Sequence, residues 1–268
     1  MRASEPLEPP NNRRQRVQSA EIGMVILKAL ATLGGSASLT SIAAAVSEST
    51  AKVHRYLSSL AQEGLIAQNP STQHYYLSTE SIRIGLAALR QCDPVRMGEL
   101  ALVRLRESLQ LTCFIAVTGN MGPTVLRIEE PSLPVTVNIR AGSVLPFLWS
   151  ATGQAFLAFS DDSEMRTKAE EEYQSGSAEQ RAILATPDGI SQLCAQVREQ
   201  GCAIVNDTLL RGISAVAAPI FDVRGHVSAV LTALGSTNGV DVRRDGPVCQ
   251  DVVREASEIS AAMGFLKA

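Results

Sequence analysis

Apolar residues recur at intervals of three and four between Ala20 and Leu33, at Ile22, Val25, Ile26, Ala29, Leu30 and Leu33. This is the stripe of an amphipathic helix, and Gly34, Gly35 and Ser36 stop it. Thr40 is placed to cap a short second helix carrying Ile42, Ala43 and Val46, and Ser47 or Ser49 to cap a third that runs to Gly64. On the third helix, at 100° per residue, Val53, Leu57, Leu60 and Ala61 share one face. Ala51, Lys52, Arg55, Ser58, Ser59 and Gln62 fall on the other. Two short strands at residues 65 to 68 and 74 to 77 flank a polar turn at 69 to 73. Three helices followed by a hairpin is the order of a winged helix.

A further apolar-periodic stretch, Ile82, Ile84, Leu86 and Leu89, leads to Pro94, and residues 95 to 111 predict a helix with Leu100, Val103 and Leu109 inward. Strands are expected at 113 to 118 and 124 to 129, and helices near 151 to 159, 161 to 173 and 188 to 200. Strands then resume at 202 to 206, 214 to 221 and 227 to 234, with a hairpin turn at 222 to 225, before a closing helix at 241 to 264. Strands and helices are mixed rather than strictly alternating. The fold class is therefore α+β, an N-terminal winged helix-turn-helix followed by a sensor-like α/β domain with a largely antiparallel sheet. The boundaries expected are a disordered leader at 1–16, a DNA-binding domain at 17–78, a linker helix at 79–94 and a sensor domain at 95–268.

Charge sharpens the picture. Residues 1 to 90 carry a net +3 and the rest a net −6, so an overall charge of −3 conceals a basic first third suited to a nucleic-acid partner. The winged helix places the exposed N-terminal half of its third helix against double-stranded DNA. The candidates there are Thr50, Ala51, Lys52, His54, Arg55 and Ser58, with Gln73 and His74 on the wing. Arg55 is suited to a bidentate contact with guanine, and Lys52, Ser58, Gln73 and His74 to phosphates or groove edges.

Other chemistry is sparse. Five scattered cysteines without a CxxC pair, and histidines only at His54, His74 and His226, suggest neither a disulfide framework nor a metal site. No Walker loop, GxSxG elbow, HExxH pair or Rossmann glycine run is present. No catalysis and no cofactor are therefore expected. No apolar run approaches the length of a membrane span, and the polar N-terminus lacks the apolar stretch of a secretory signal, which predicts a cytoplasmic protein.

The segments VQSAEIGMVILKAL (17–30), LTSIA (39–43), VHRYLSSLAQEGLI (53–66), YYL (75–77) and IGL (84–86) resemble the DNA-binding domain of the IclR family. AGSVLPF (141–147), ATGQAFLA (151–158), REQGCA (198–203) and GISAVAAPIF (212–221) extend the likeness through the second domain. The resemblance implies a GAF-like effector domain, assembly with itself as a dimer or dimer of dimers, and control of transcription by a small, often carboxylate-bearing metabolite. The chain departs from the family at Ala51 and Lys52, where Ser and Thr are usual, so its operator preference is expected to differ.

The effector domain departs further. Val205, Asn206, Asp207 and Thr208 stand where an acidic run is common, Ala215 where many members have cysteine, and Thr232 with Leu234 near positions that usually carry hydroxyls. Ala151, Thr152 and Gly153 open a helix whose backbone N–H groups are suited to a carboxylate or carbonyl oxygen. Phe147, Trp149, Val205, Ala215 and Leu234 are expected as apolar walls, and Asn206, Asp207 and Thr232 as polar contacts. The expected effector has one carboxylate or carbonyl end and an apolar or aromatic body. Two alternatives stand: an effector-independent regulator whose pocket has decayed, and a helix-turn-helix fused to an enzyme.

Overall fold

The computed structural model describes residues 17–132, 139–184 and 188–266. The leader at 1–16 lies outside them. The chain divides into two compact units between Gln91 and Cys92.

The first unit comprises α1 (Gln18–Thr32), β1 (Ser36–Ala37), α2 (Leu39–Ala45), α3 (Thr50–Gln62), β2 (Ile66–Gln68), β3 (Tyr75–Leu77) and α4 (Thr79–Leu89). The three strands form an antiparallel sheet in the order β1-β3-β2. Ile26, Leu30, Ile42, Val53, Leu57, Ile66 and Tyr75 close the core. The buried stripes are narrower than the periodicity predicts: Val25, Leu33 and Ala61 are exposed, and Gly23 and the half-buried Tyr56 meet instead. Ser38, not Thr40, caps α2, because its Oγ accepts the Ser41 N–H at 3.1 Å. Ser49 caps α3 by accepting from the Lys52 N–H.

The second unit comprises α5 (Pro94–Met97), α6 (Glu99–Leu109), β4 (Thr112–Gly119), β5 (Gly122–Glu129), α7 (Ala151–Phe159), α8 (Ser163–Ser175), α9 (Ala178–Leu184), α10 (Gly189–Gln200), β6 (Ala203–Asn206), β7 (Ile213–Phe221), β8 (Val227–Ser236) and α11 (Pro247–Ala262). Its sheet runs β5-β4-β8-β7-β6, every pair antiparallel. Both faces are covered. Phe114, Ala116, Ala217 and Val230 pack toward α7 and α10, while Ile115, Val216, Leu231 and Ala233 pack toward α6 and α11. Two-sided burial is why these strands read as nearly continuous apolar runs rather than alternating ones.

Three elements differ from expectation. The helix predicted over 95 to 111 breaks at Gly98, where a Cβ would stand 2.2 Å from Ile115 Cδ1, and its buried side is Ala101, Leu102 and Leu105 while Leu100 is exposed. The closing helix starts at Pro247 rather than 241, since proline is favoured in the first turn and Asp241 folds back to bond the Arg243 backbone and guanidinium. The unanticipated α9 begins with a capping box, in which Ser177 N–H donates to Gln180 Oε1 and Gln180 N–H donates to Ser177 Oγ.

One close approach positions α7. A Cβ on Gly153 would lie 2.2 Å from the Pro146 carbonyl oxygen and 2.4 Å from Phe147 Cα, backbone atoms that cannot rotate away. Gly153→Ala is therefore expected to destabilise the second unit by about 1–3 kcal/mol or more, read as a lowered denaturation midpoint; an unchanged midpoint would show that the helix can back away freely.

Candidate functional site

Thr50, Ala51, His54, Arg55 and Ser58 are exposed on α3, as the helix phase requires. Lys52 is half-buried, and its Nζ is held by Glu48 at 2.6 Å across one turn. Ser58 Oγ donates back to the His54 carbonyl at 2.9 Å. Arg55 is the cation on this helix whose guanidinium has no protein partner among the described residues. The wing turn is internally braced. Asn69 Oδ1 accepts from the Ser71 and Thr72 N–H groups, and Gln73, in a left-handed conformation at φ 59°, donates its amide to the Pro70 carbonyl and accepts from Gln68. His74 is exposed beside it. Lys52, Ser58 and Gln73 are thus tied into the protein, whereas Arg55 and His74 are presented outward.

In the second unit a narrow apolar cavity with about 40 Å³ of free space lies between the start of α7 and the sheet. Phe114, Leu145, Val205, Ala215 and Leu234 supply its walls. At its polar end the buried Thr152 and Thr232 hydroxyls share a 2.9 Å hydrogen bond. Ser150 caps α7, accepting from the Gly153 N–H and donating to the Pro146 carbonyl. The Glu172 carboxylate receives the Phe147 and Leu148 N–H groups, both at 2.8 Å. Burial pushes the Glu172 carboxyl above its usual range, against the opposing pull of those two bonds.

Residues 19–70 match the IclR helix-turn-helix domain, and residues 86–261 match the bacterial transcriptional regulator IclR C-terminal domain. The chain belongs to the IclR family. HmgR of Pseudomonas aeruginosa, a solved structure, is 38% identical, with a TM-score of 0.84 over 94% of this chain and all of that one. The transcriptional repressor IclR of Escherichia coli is 24% identical over 255 residues, covering 94% of this chain and 92% of the repressor. An IclR homologue from Microbacterium hydrocarbonoxydans, solved in complex with 4-hydroxybenzoate, shares the fold at a TM-score of 0.53 and 16% identity, over 91% of this chain and 98% of that one. The IclR-family chain is a DNA-binding transcription regulator, and its relatives are regulators rather than enzymes. Among the described residues no group of His, Cys, Asp and Glu is arranged to hold a metal, and no helix is long and apolar enough to cross a membrane.

Within this IclR-type sensor domain the cavity brings together Ala151, Thr152, Val205, Ala215, Thr232 and Leu234. Five expected members lie elsewhere, Phe147 among them, against Gly122 and Gly153. Trp149 is buried against the end of α8, with its Cζ2 2.9 Å from where a Cβ on Gly176 would stand. Gly153 is consumed by the contact with Pro146 and Phe147. Asn206 accepts from Ser214 Oγ, while Asp207 accepts from the Gly212 N–H and from Thr237 Oγ1. These two residues therefore shape the β6–β7 loop rather than line the cavity. That loop carries Leu209 and Leu210 into the cavity wall. An adjacent pair of leucines in an otherwise polar loop was the available signal for it.

Arg55→Ala is expected to weaken specific operator binding by about 1–3 kcal/mol and to relax preference at one base position. Lys52→Ala, which removes a charge already countered by Glu48, is expected to cost less and to act uniformly on all sequences. Gel-shift titration on specific and scrambled DNA at matched salt measures both. Unchanged affinity and preference in the Arg55 variant would take that residue off the recognition surface.

Proposed function

We propose that this regulator binds its operator as a dimer or dimer of dimers and is controlled by a small aromatic acid held in the cavity beneath α7. The observation that carries the effector reading is the Thr152–Thr232 hydroxyl pair at one end of an otherwise apolar cavity. The lining is mostly apolar with few polar groups, as in pockets that orient a small ligand, and with about 40 Å³ free in this conformation the walls must open to admit an aromatic acid. The first turn of α7 adds backbone N–H groups without partners inside the helix, suited to a carboxylate. Small, highly oxygenated acids fit poorly, because each oxygen buried without a partner costs about 1–3 kcal/mol. The homologue solved with 4-hydroxybenzoate agrees with this class of ligand.

Self-association rests on the first unit. Among its described residues α4 buries none, and Ile82, Ile84, Leu86 and Leu89 stand exposed along it, as do Met24 and Val25 on α1. Apolar helix faces of this kind mark protein–protein contacts. A dimer also matches the demand of two operator half-sites. Sedimentation is expected to report twice or four times the 28.5 kDa chain mass; a monomer that retains full operator affinity would overturn this.

The ligand class is tested by thermal shift with 4-hydroxybenzoate and phenylacetate against glyoxylate and pyruvate. The aromatic acids are expected to stabilise the protein. Thr232→Val is expected to weaken them by about 1–2 kcal/mol, roughly tenfold, while Trp149→Ala lowers the starting stability and changes affinity less. Tight binding of the small oxo acids with no response to the aromatic ones would refute the assignment.

A further inference from the structure

Outside the cavity, two cysteines 47 residues apart in sequence meet with their Sγ atoms 3.1 Å apart. Cys202 follows Gly201, the left-handed cap of α10, and immediately precedes β6. Cys249 is the third residue of α11, a 16-residue helix entered through Pro247. Both thiols are reduced and buried. We propose that Cys202 and Cys249 form a modification site, a dithiol that a hydroperoxide oxidises to an intramolecular disulfide joining the start of β6 to the first turn of α11.

The surroundings differentiate the two sulfurs. Cys249 sits in the first turn of a long helix, where backbone N–H groups and the helix dipole favour a thiolate. It also shares a hydrogen bond with the Cys202 thiol, in which either sulfur can donate, and feels the Arg244 guanidinium, and these lower its pKa against the effect of burial. The same hydrogen bond and burial raise the coupled Cys202 thiol. By contrast, burial pushes the Cys113 thiol up to about 12 and raises Cys194 as well. Cys249 is thus the favoured nucleophile and Cys202 is already at its side. Closing from 3.1 Å to a disulfide length of about 2.05 Å asks for a shift of about an ångström. Access follows from local opening of the first turn of α11, whose N-cap, Gly246, contributes no side-chain bond.

The chemistry balances. The Cys249 thiolate attacks the distal oxygen of the hydroperoxide, the O–O bond breaks, and the alkoxide or hydroxide leaves and takes up a proton. The Cys202 sulfur then displaces hydroxide from the Cys249 sulfenic acid, and that hydroxide leaves as water with the Cys202 proton. Two thiols and one hydroperoxide give one disulfide, one alcohol or water, and one further water. Because Val205 lies three residues beyond Cys202 and lines the cavity, the bond would tether the strand that forms part of the effector wall.

The test uses the full chain with hydrogen peroxide near stoichiometric amounts, followed by denaturing alkylation, intact mass and peptide mapping. Three of the five thiols are expected to remain alkylatable, with two hydrogens lost and a reducible cross-linked peptide pair containing residues 202 and 249. Cys202→Ser is expected to halt at a sulfenic acid on Cys249 that dimedone captures, and Cys249→Ala to leave Cys202 reduced. Five alkylatable thiols after treatment of the unsubstituted protein, or a disulfide between any other pair, would overturn the proposal whatever the variants do.

Discussion

The seating of α7 on the segment that precedes it is the contact on which the sensor domain's geometry depends. Gly153 lets the helix come against the Pro146 carbonyl and Phe147 at a distance no side chain permits. Around that approach most polar groups are matched: Ser150 joins the helix start to Pro146, Gln154 donates to the Leu148 carbonyl although its own Oε1 is buried without a partner among the described residues, and Glu172 takes the Phe147 and Leu148 N–H groups. An irregular buried segment would otherwise strand its backbone donors and acceptors, each at a cost comparable to a lost hydrogen bond. With the segment fixed, Thr152 is delivered against Thr232 on β8, and the cavity acquires its polar end.

The DNA-binding unit achieves its presentation with smaller means. A ten-residue apolar cluster holds three short helices, and a serine cap sets where α3 begins. The Glu48–Lys52 pair is a surface ion pair of modest worth, but it has a consequence for recognition. It withdraws one cation from the front of the helix and leaves Arg55, whose planar fork suits a base edge better than a lysine does. The braced wing turn acts similarly, since Gln73 spends its side chain on the loop and His74 remains outward.

Much of this was legible in the residues. The helix phase of Val53, Leu57 and Leu60 predicts which side of α3 is open, the mixing of strands and helices predicts the antiparallel sheet, and the resemblance carried by the segments from 17 to 221 predicts the family. Six of the eleven residues expected from the sequence at the pocket line the cavity. The others lie elsewhere for identifiable reasons. Trp149 is adjacent in sequence to the helix start, yet it sits in the turn at residues 147–149 and packs against the end of α8. Asn206 and Asp207 look like ligand contacts by residue type, but the left-handed backbone at Asp207 (φ 56°) and the turn that follows need those side chains as local acceptors. The break at Gly98 depends on Ile115, a partner distant in sequence, so no local pattern discloses it. The start of α9 was legible in Ser177 and Gln180 through the capping box.

If the cavity takes the proposed effector, the same hydroxyl pair limits how it discriminates. Thr152 and Thr232 satisfy each other, so the cavity carries no unpaired hydroxyl whose rescue would drive binding. A ligand's polar end exchanges one hydrogen bond for others, and that exchange is worth little net free energy. Affinity must then come chiefly from covering Phe114, Leu145, Val205 and Leu234, at about 25 cal/mol per Å² of apolar surface removed from water. Orientation falls to the hydroxyls and the helix start, because a ligand entering apolar end first would press an uncompensated carboxylate into the hydrocarbon wall. Selection by size and apolar area, with polarity acting to exclude the wrong pose, is what this division of labour favours, and the two leucines of the β6–β7 loop, Leu209 and Leu210, are the part of the wall best placed to set that size.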